Sequence, residues 1–204
     1  MVVLVHGLLA HPLLMAPLAR RLQPDFRRVV NWGYRSVWSP IEVHSACLAE
    51  QFRRLDDDES AGPLHLVTHS MGGIVTRLAL ERYRPRKLGR IVMVAPPNSG
   101  SRVATKLSPW LGRICPPLNQ LTDAASGFVC SLPHPANVEV GVIAAAGDYM
   151  VGEASTHLAC EADHIVLPGL HSTILWRRDT AAQIARFLAQ GCFERKGVAA
   201  ASAR

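Results

Sequence analysis

A serine stands in a short segment whose residue types and spacing could support nucleophilic chemistry. The segment LHLVTHSMGG, residues 64–73, runs from an apolar stretch through Ser70 to two glycines, and a helical pattern follows. A serine hydroxyl attacks a carbonyl only when a base accepts its proton and the backbone projects it towards the substrate. A tight turn between a strand and a helix provides that projection. Ser70 is therefore a candidate nucleophile.

The segment departs from the G-x-S-x-G pattern of such turns at its first position, where Thr68 stands. A match to this pattern is a weak signal by itself, because short strings of glycine and serine are common in turns. The order of strand, Ser70, Gly72-Gly73 and helix is more informative, since small residues beside the turn let the strand and the helix cross closely. The context therefore supports the prediction despite Thr68.

Two later residues provide the acid and the base that such a serine needs. Asp148 follows an apolar run at 138–145, and His171 follows a shorter run at 165–167. The carboxyl ends of parallel strands meet at one edge of a sheet, and a serine, acid, histidine order along the chain is typical of catalytic triads on such sheets. We predict that His171 accepts the Ser70 proton and that Asp148 orients the imidazole.

Asp163 is the one serious rival for the role of the acid. It also precedes His171, but it comes immediately before the run 165–167. A strand of several residues, at about 3.3 Å each, would hold Asp163 at the opposite edge of the sheet from the loop that carries His171. Asp148 is therefore the predicted acid.

A hydrolytic site also needs backbone N–H groups that stabilise a developing oxyanion. One comes from the residue after the nucleophile, which is Met71, and the other from the loop after an early strand. The segment His6-Gly7-Leu8 ends the first apolar run and places the N–H of Leu8 in that loop. Leu8 and Met71 are the predicted oxyanion donors.

Short apolar runs and helical patterns alternate along the chain. Apolar strands that alternate with helices predict an α/β fold with a mostly parallel sheet of about six strands and helices on both faces. The helical patterns lie at 12–22, from a Ser39-Pro40 cap to the acidic run at 56–59, at 72–83 and at 180–188. The strand candidates lie at 2–5, 28–32, 64–68, 91–95, 138–145 and 165–167.

One stretch interrupts this alternation. Residues 99–137 contain many of the prolines and glycines and have no strong period, which is unusual over such a length in a compact domain. We predict a loop or helical insertion over the carboxyl edge of the sheet, and a surface loop without a role remains the alternative. The remainder indicates one domain at 1–190, followed by a frayed tail at 191–204.

The composition fits one globular domain. A chain of 204 residues with 49% hydrophobic content buries one sizeable core. The net charge of +6 comes mostly from scattered arginines, which favours solvated faces rather than nucleic-acid binding. The apolar start MVVLVHGLLAHPLLM has no basic leader and is too short to span a bilayer, so we expect a first strand, no integral membrane segment and a cytoplasmic protein.

The cysteines indicate neither a zinc site nor a complete disulfide framework, because their number is odd and no CxxC spacing occurs. Two of them flank one loop and could pair in an oxidising compartment, namely Cys115 and Cys130. The sequence alone leaves that pairing open, with buried free thiols as the default expectation. The five residues are Cys47, Cys115, Cys130, Cys160 and Cys192.

Five segments together resemble a known family. LVHGLLA, VTHSMGGIVTR, VMVAPPNSGS and GDYMVGEASTHL, with the later DHIVLPGLH, are similar to the small lipase and esterase branch of the α/β-hydrolase fold, which includes triacylglycerol lipases. The resemblance extends from Val2 to about Leu188 and is least specific in the insertion. Tyr149 departs from it, because that branch usually has glycine after the acid.

The resemblance implies the same site that the residues indicate, with Ser70, His171 and Asp148 as the triad and Leu8 and Met71 as oxyanion donors. It implies no metal and no organic cofactor. The expected activity is hydrolysis of a small-molecule acyl ester or lipid through an acyl-enzyme. Acyl transfer or thioester cleavage by the same acyl-enzyme is the alternative among enzymes, and a non-catalytic module that binds a lipid or a partner is the alternative outside them.

Overall fold

Six strands alternate with helices in the computed structural model, which describes residues 1–58 and 62–195. The strands are β1 Val2–Val5, β2 Val29–Trp32, β3 Leu64–His69, β4 Leu88–Val94, β5 Val140–Ala145 and β6 Glu161–Leu167. The helices are α1 Pro12–Leu22, α2 Ile41–Asp56, α3 Met71–Arg82, α4 Arg102–Leu111, α5 Pro116–Gln120, α6 Phe128–Ser131, α7 Glu153–Thr156 and α8 Arg178–Gln190. A 3₁₀ turn, Thr173–Trp176, precedes α8.

The strands form one sheet in the order β2-β1-β3-β4-β5-β6. Every neighbouring pair is parallel, which confirms the predicted fold class. The chain places β2 on one side of β1 and then returns to place β3 on the other side. The loops that leave β1 and β3 therefore diverge at a topological switch point, where α/β proteins commonly bind their ligands.

Both faces of the sheet are covered because the side chains of its strands alternate between two apolar cores. In β1, Val3 and Val5 point into the core that α2 and α3 complete with residues such as Phe52 and Ile74. Val2 and Leu4 point into the opposite core, which α1 and α8 complete with residues such as Met15 and Phe187. A strand buried on both faces must be apolar at every position, and this explains the unbroken run VVLV.

The last strand is longer than its apolar residues predict. It begins at Glu161 rather than at residue 165, and Asp163 lies within it, opposite Gly141 of β5. An edge strand has a partner on one side only, so polar residues are tolerated there and the apolar pattern ends before the strand does. The expectation that Asp163 precedes the strand is wrong.

The predicted frayed tail is wrong over its first five residues. Phe193 is only 4% exposed and its ring lies 4.8 Å from that of Phe187. Asp163 accepts a hydrogen bond from the Phe193 N–H at 2.8 Å and pairs with Arg195 at 2.6 Å. An apolar anchor and a charged pair thus hold residues 191–195 against the sheet. The rest of the predicted tail, 196–204, lies outside the described residues.

The insertion at 99–137 contains three helices and covers the carboxyl edge of the sheet. These helices, α4 to α6, have 10, 5 and 4 residues. The helices α5 and α6 are too short to show a helical period in the sequence, and Pro109 inside α4 argued against a helix there. The boundary of α2 also differs from its prediction, because the N-cap residue is Pro40 rather than Ser39 and no side chain caps the helix there.

All five cysteines are free, so Cys115 and Cys130 are not paired.

Within the described ranges, no helix combines the length and the apolar composition that a membrane crossing requires.

The start of α3 crosses β1 at close range. A methyl group on Gly72 would lie 2.4 Å from the Val5 carbonyl oxygen and 2.7 Å from that of His6. Real Cβ atoms do not approach oxygen this closely, so any larger residue would push the helix away from the strand. Gly72 therefore sets the distance between the Ser70 turn and the loop that contains Leu8.

We predict that Gly72→Ala destabilises the protein by about 1–3 kcal/mol, the usual range for overpacking. The midpoint of thermal unfolding should fall by about 2–4 °C for each kcal/mol in a chain of this size. Gly62→Ala is the matched control, because a Cβ at Gly62 meets no atom within 4 Å. Equal melting temperatures for the two variants would contradict the close crossing.

Candidate active site

Ser70 occupies a strained turn between β3 and α3. Its backbone has φ 52° and ψ −128°, a conformation that residues with a Cβ rarely adopt. Two hydrogen bonds hold the turn, from the Ser70 N–H to the Val94 carbonyl and from the Gly73 N–H to the Ser70 carbonyl, both at 2.9 Å. A Cβ on Gly7 would lie 2.8 Å from the Cβ of Ser70, so the loop after β1 passes directly beside the serine.

The three residues predicted to form a triad lie in hydrogen-bond contact. His171 Nε2 is 2.9 Å from Ser70 Oγ, and His171 Nδ1 is 2.6 Å from Asp148 Oδ2. An ionised carboxylate only accepts hydrogen bonds, so Nδ1 carries the proton and Nε2 presents its lone pair to the serine hydroxyl. The geometry is that of a base aimed at a hydroxyl and oriented by an acid.

Backbone contacts fix the loop that carries Asp148. Its Oδ1 accepts the N–H groups of Met150 at 2.8 Å and Val151 at 2.9 Å, which leaves Oδ2 for the histidine. The Gly147 N–H donates to the Gly169 carbonyl at 2.9 Å, so the acid loop is joined to the loop that carries His171. Asp163 takes no part, because its carboxylate is occupied by residues 193 and 195.

His69 contacts both the backbone and the ring of His171. Its Nε2 donates to the backbone carbonyl of His171 at 2.9 Å, and the two rings lie 4.9 Å apart. Burial lowers the pKa of His69 to about 3 and keeps the ring neutral. The sequence analysis missed this contact, which joins residues 102 positions apart.

A buried arginine connects α3 to the insertion, and the sequence analysis also missed it. The Arg77 guanidinium donates to the Leu132 carbonyl at 2.6 Å and to Asn98 Oδ1 at 3.4 Å. Asn98 in turn donates to the Thr156 carbonyl at 2.8 Å. Burial lowers the pKa of Arg77. The sequence did contain a signal of this buried contact, because Arg77 is a single charged residue within the run IVTRLAL.

The predicted oxyanion donors lie beside the serine. Met71 is the first residue of α3, where a backbone N–H has no partner within the helix. Leu8 lines the same pocket as Ser70 and His171. The loop before Leu8 is held by His6, whose Nδ1 donates to the Gly7 carbonyl at 2.9 Å and whose Nε2 accepts the Tyr34 N–H at 3.3 Å. His6 is thus a structural residue.

An apolar pocket of about 680 Å³ opens directly above Ser70. One wall comes from the insertion and the other from the segment after β1, so the insertion does cover the carboxyl edge. The pocket above Ser70 is lined by residues that include Leu9, Leu13, Val103, Leu107, Leu111, Leu118, Leu121, Met150 and Trp176.

A more open depression of about 770 Å³ lies at residues such as Pro63, Lys87 and Glu139, and it contains none of the predicted site residues.

Among the described residues, one group of side chains away from Ser70 could hold a metal ion. His157, Glu161 and His164 place possible ligand atoms within 4.8 Å of one another. Within the protein, however, His157 Nδ1 already contacts Glu161 Oε1 at 2.7 Å, and His164 Nε2 contacts Thr156 Oγ1 at 3.0 Å. These side chains lie outside the pocket above Ser70, and the Ser70 relay has no need of them.

Comparisons with solved structures agree with this fold. The mature form of Bacillus licheniformis lipase BlEst2 superposes with a TM-score of 0.69 at 15% identity, over 92% of this chain and 90% of that chain. Paleococcus ferrophilus monoacylglycerol lipase gives 0.63 at 18%, over 92% and 93%. Aspergillus fumigatus lipase B gives 0.73 at 18%, over 93% of this chain but 52% of that one. Identities this low show the fold alone.

The sequence itself carries the family assignment. A search of curated protein sequences gives no match. The model of the alpha/beta hydrolase family matches residues 2–200, nearly the whole chain. The chain therefore belongs to the alpha/beta hydrolase family.

Proposed function

We propose that the protein is a serine hydrolase that cleaves carboxylic esters through an acyl-enzyme. One observation carries the proposal: the hydrogen-bonded relay of Asp148, His171 and Ser70 stands at the floor of an apolar pocket. A nucleophile, its base and the partner of the base are the minimum that acyl transfer to serine requires.

The first half of the reaction acylates the serine. His171 Nε2 accepts the Ser70 proton while Oγ attacks the ester carbonyl, and the protonated imidazole then donates that proton to the leaving alkoxide. In the second half, His171 removes a proton from water, which attacks the acyl-enzyme and releases the acid. Asp148 remains ionised throughout and stabilises the imidazolium that forms in each half.

The negative charge on the tetrahedral intermediate requires donors that are already in place. We assign this role to the backbone N–H groups of Leu8 and Met71, since one lies in the loop beside the serine and the other follows it. Donors fixed by the fold need no reorganisation during the reaction, and one such donor is typically worth a factor of about 10²–10³ in turnover.

The pocket indicates the acyl part of the substrate. Leucine side chains from the insertion and from the segment after β1 face each other across it, and such a lining favours an alkyl chain over a charged group. Structural neighbours named as lipases and as a monoacylglycerol lipase support the same substrate class. We therefore favour lipid-like or other apolar acyl esters.

Two alternatives use the same architecture. An acyltransferase or thioesterase would form the same acyl-enzyme and differ only in the acceptor or the leaving group. A non-catalytic binding module would need the pocket but not the relay, and the complete Ser70, His171 and Asp148 contact argues against it. Labelling with a fluorophosphonate separates the last case, because only an activated Ser70 reacts.

We predict that Ser70→Ala abolishes hydrolysis of a short p-nitrophenyl ester and leaves the fold intact. Without the nucleophile, only binding and oxyanion stabilisation remain, so turnover should fall by a factor on the order of 10⁶. Steady-state assays check the rate, and circular dichroism checks the fold. A folded variant that keeps more than about a tenth of the wild-type rate would overturn the assignment.

We predict that Asp148→Asn lowers turnover by a factor on the order of 10⁴ in a folded protein, because the histidine loses the partner that fixes its tautomer. Asp163→Asn is the matched control. Its carboxylate contacts Arg195 and the backbone of Phe193, so that variant should lose stability rather than turnover. The reverse ranking of the two rates would exclude Asp148 as the acid.

We predict that His69 positions His171 through the hydrogen bond that its Nε2–H donates to the His171 carbonyl. His69→Leu removes the hydrogen bond to the His171 carbonyl and should lower kcat by up to about 10²-fold, the cost of a misplacement of about 1 Å. His69→Gln keeps an N–H at a similar reach and should restore most of kcat. Both variants should leave KM near the wild-type value. A Gln variant as slow as the Leu variant would show that His69 only fills space.

A further inference from the structure

The helix α4 exposes much of its apolar surface. Leu107, Trp110 and Leu111 recur at the spacing that places them on one side of the helix, and Ile114 follows just beyond its end. All four are exposed, with Trp110 at 83%, and Ala104 is the only buried residue of the helix. A helix that exposes its large apolar residues does not bury them within its own chain, and such a surface commonly marks an interaction site.

The same apolar surface continues around the pocket mouth. Leu9 and Leu13, from the segment after β1, are more than 70% exposed, and Trp176 is about half exposed. These three side chains also line the pocket above Ser70, as do Leu107 and Leu111. The exposed apolar rim, meaning these five residues with Trp110 and Ile114, therefore borders the opening through which a substrate enters.

The charged residues in α4 and just beyond its end are all cations, and Asp123 contacts the helix at Thr105. Arg102, Lys106 and Arg113 are exposed in or next to α4. Between Glu81 and Asp123 the sequence contains no acidic residue. A helix with tryptophan and leucine on one side and lysine and arginine beside them is typical of segments that lie in the interface of an anionic membrane.

We infer that the exposed apolar rim and the three cations in or next to α4, Arg102, Lys106 and Arg113, dock the protein on the surface of an anionic phospholipid bilayer. The apolar side chains would enter the boundary between headgroups and acyl chains, and the cations would contact lipid phosphates. A second copy of the chain fits the same surface poorly, because it would bring three further cations against Arg102, Lys106 and Arg113.

Docking in this way turns the pocket mouth towards the bilayer. Five of the seven rim residues also line the pocket above Ser70, so a lipid could pass from the bilayer to the serine without crossing water. The docking surface does not depend on the proposed hydrolysis, because none of the three cations belongs to the relay. Binding and catalysis can therefore fail separately.

The test uses the full chain with Ser70→Ala, so that vesicles are not hydrolysed. Co-sedimentation with vesicles of phosphatidylcholine and phosphatidylglycerol should show binding, and vesicles of phosphatidylcholine alone should bind at least about tenfold more weakly. Lys106→Glu with Arg113→Glu should reduce binding to the anionic vesicles by at least about tenfold. Trp110→Ser with Ile114→Ser should do the same through loss of insertion.

Matched controls alter the same chemistry on other faces. Arg20→Glu with Arg27→Glu makes the same change in net charge at two exposed positions outside α4, and Val43→Ser removes an exposed apolar side chain from α2. Both should bind like the parent. Equal loss in the arginine control would show that net charge alone determines binding, and equal loss in Val43→Ser would show that any exposed apolar side chain contributes as much. Either result would overturn the proposal. Failure to bind anionic vesicles would overturn it as well, and so would a dimer in sedimentation velocity that Trp110→Ser with Ile114→Ser dissociates.

Discussion

The close crossing of α3 over β1 is the constraint on which the rest of the site depends. Gly72 lets the helix start against the carbonyl oxygens of Val5 and His6, and this contact brings the turn at Ser70 beside the loop after β1. The strain in the Ser70 backbone persists because hydrogen bonds and packing hold both sides of the turn. Ser70, the proposed nucleophile, and both candidate oxyanion donors thus take their positions from one contact between two elements.

His171 and Asp148, the proposed base and acid, are held by a different set of contacts, which involves backbone more than side chains. His171 is fixed at its carbonyl by His69 and at its Nδ1 by Asp148, and Asp148 is fixed by two N–H groups of its own loop. The Asp148–His171 contact joins the loops after the neighbouring strands β5 and β6, and the His69–His171 contact joins the end of β3 to the loop after β6. The sheet therefore aligns the relay because its strands share one direction, so that their carboxyl ends and the following loops meet.

The sequence predicted what local patterns encode. The run VVLV, the turn around Ser70 and the positions of Asp148 and His171 after apolar runs indicated the fold and the residues that the structure brings together. It did not indicate the polar start of β6, since an edge strand tolerates Glu161 and Asp163. Nor did it indicate the His69 contact to His171, because no local pattern records a contact between residues 102 positions apart.

The order of strands has a consequence for synthesis of the chain. From β3 onward each new strand adds to the edge left by the previous one, so the sheet can extend in one direction as the chain leaves the ribosome, N-terminal part first. Phe187 and Phe193 cover Gly141 on the face of the sheet that α8 shields. A nascent chain that ends before α8 therefore exposes the part of that face which α8 covers, and one that ends before residue 171 carries Ser70 without its contact to His171.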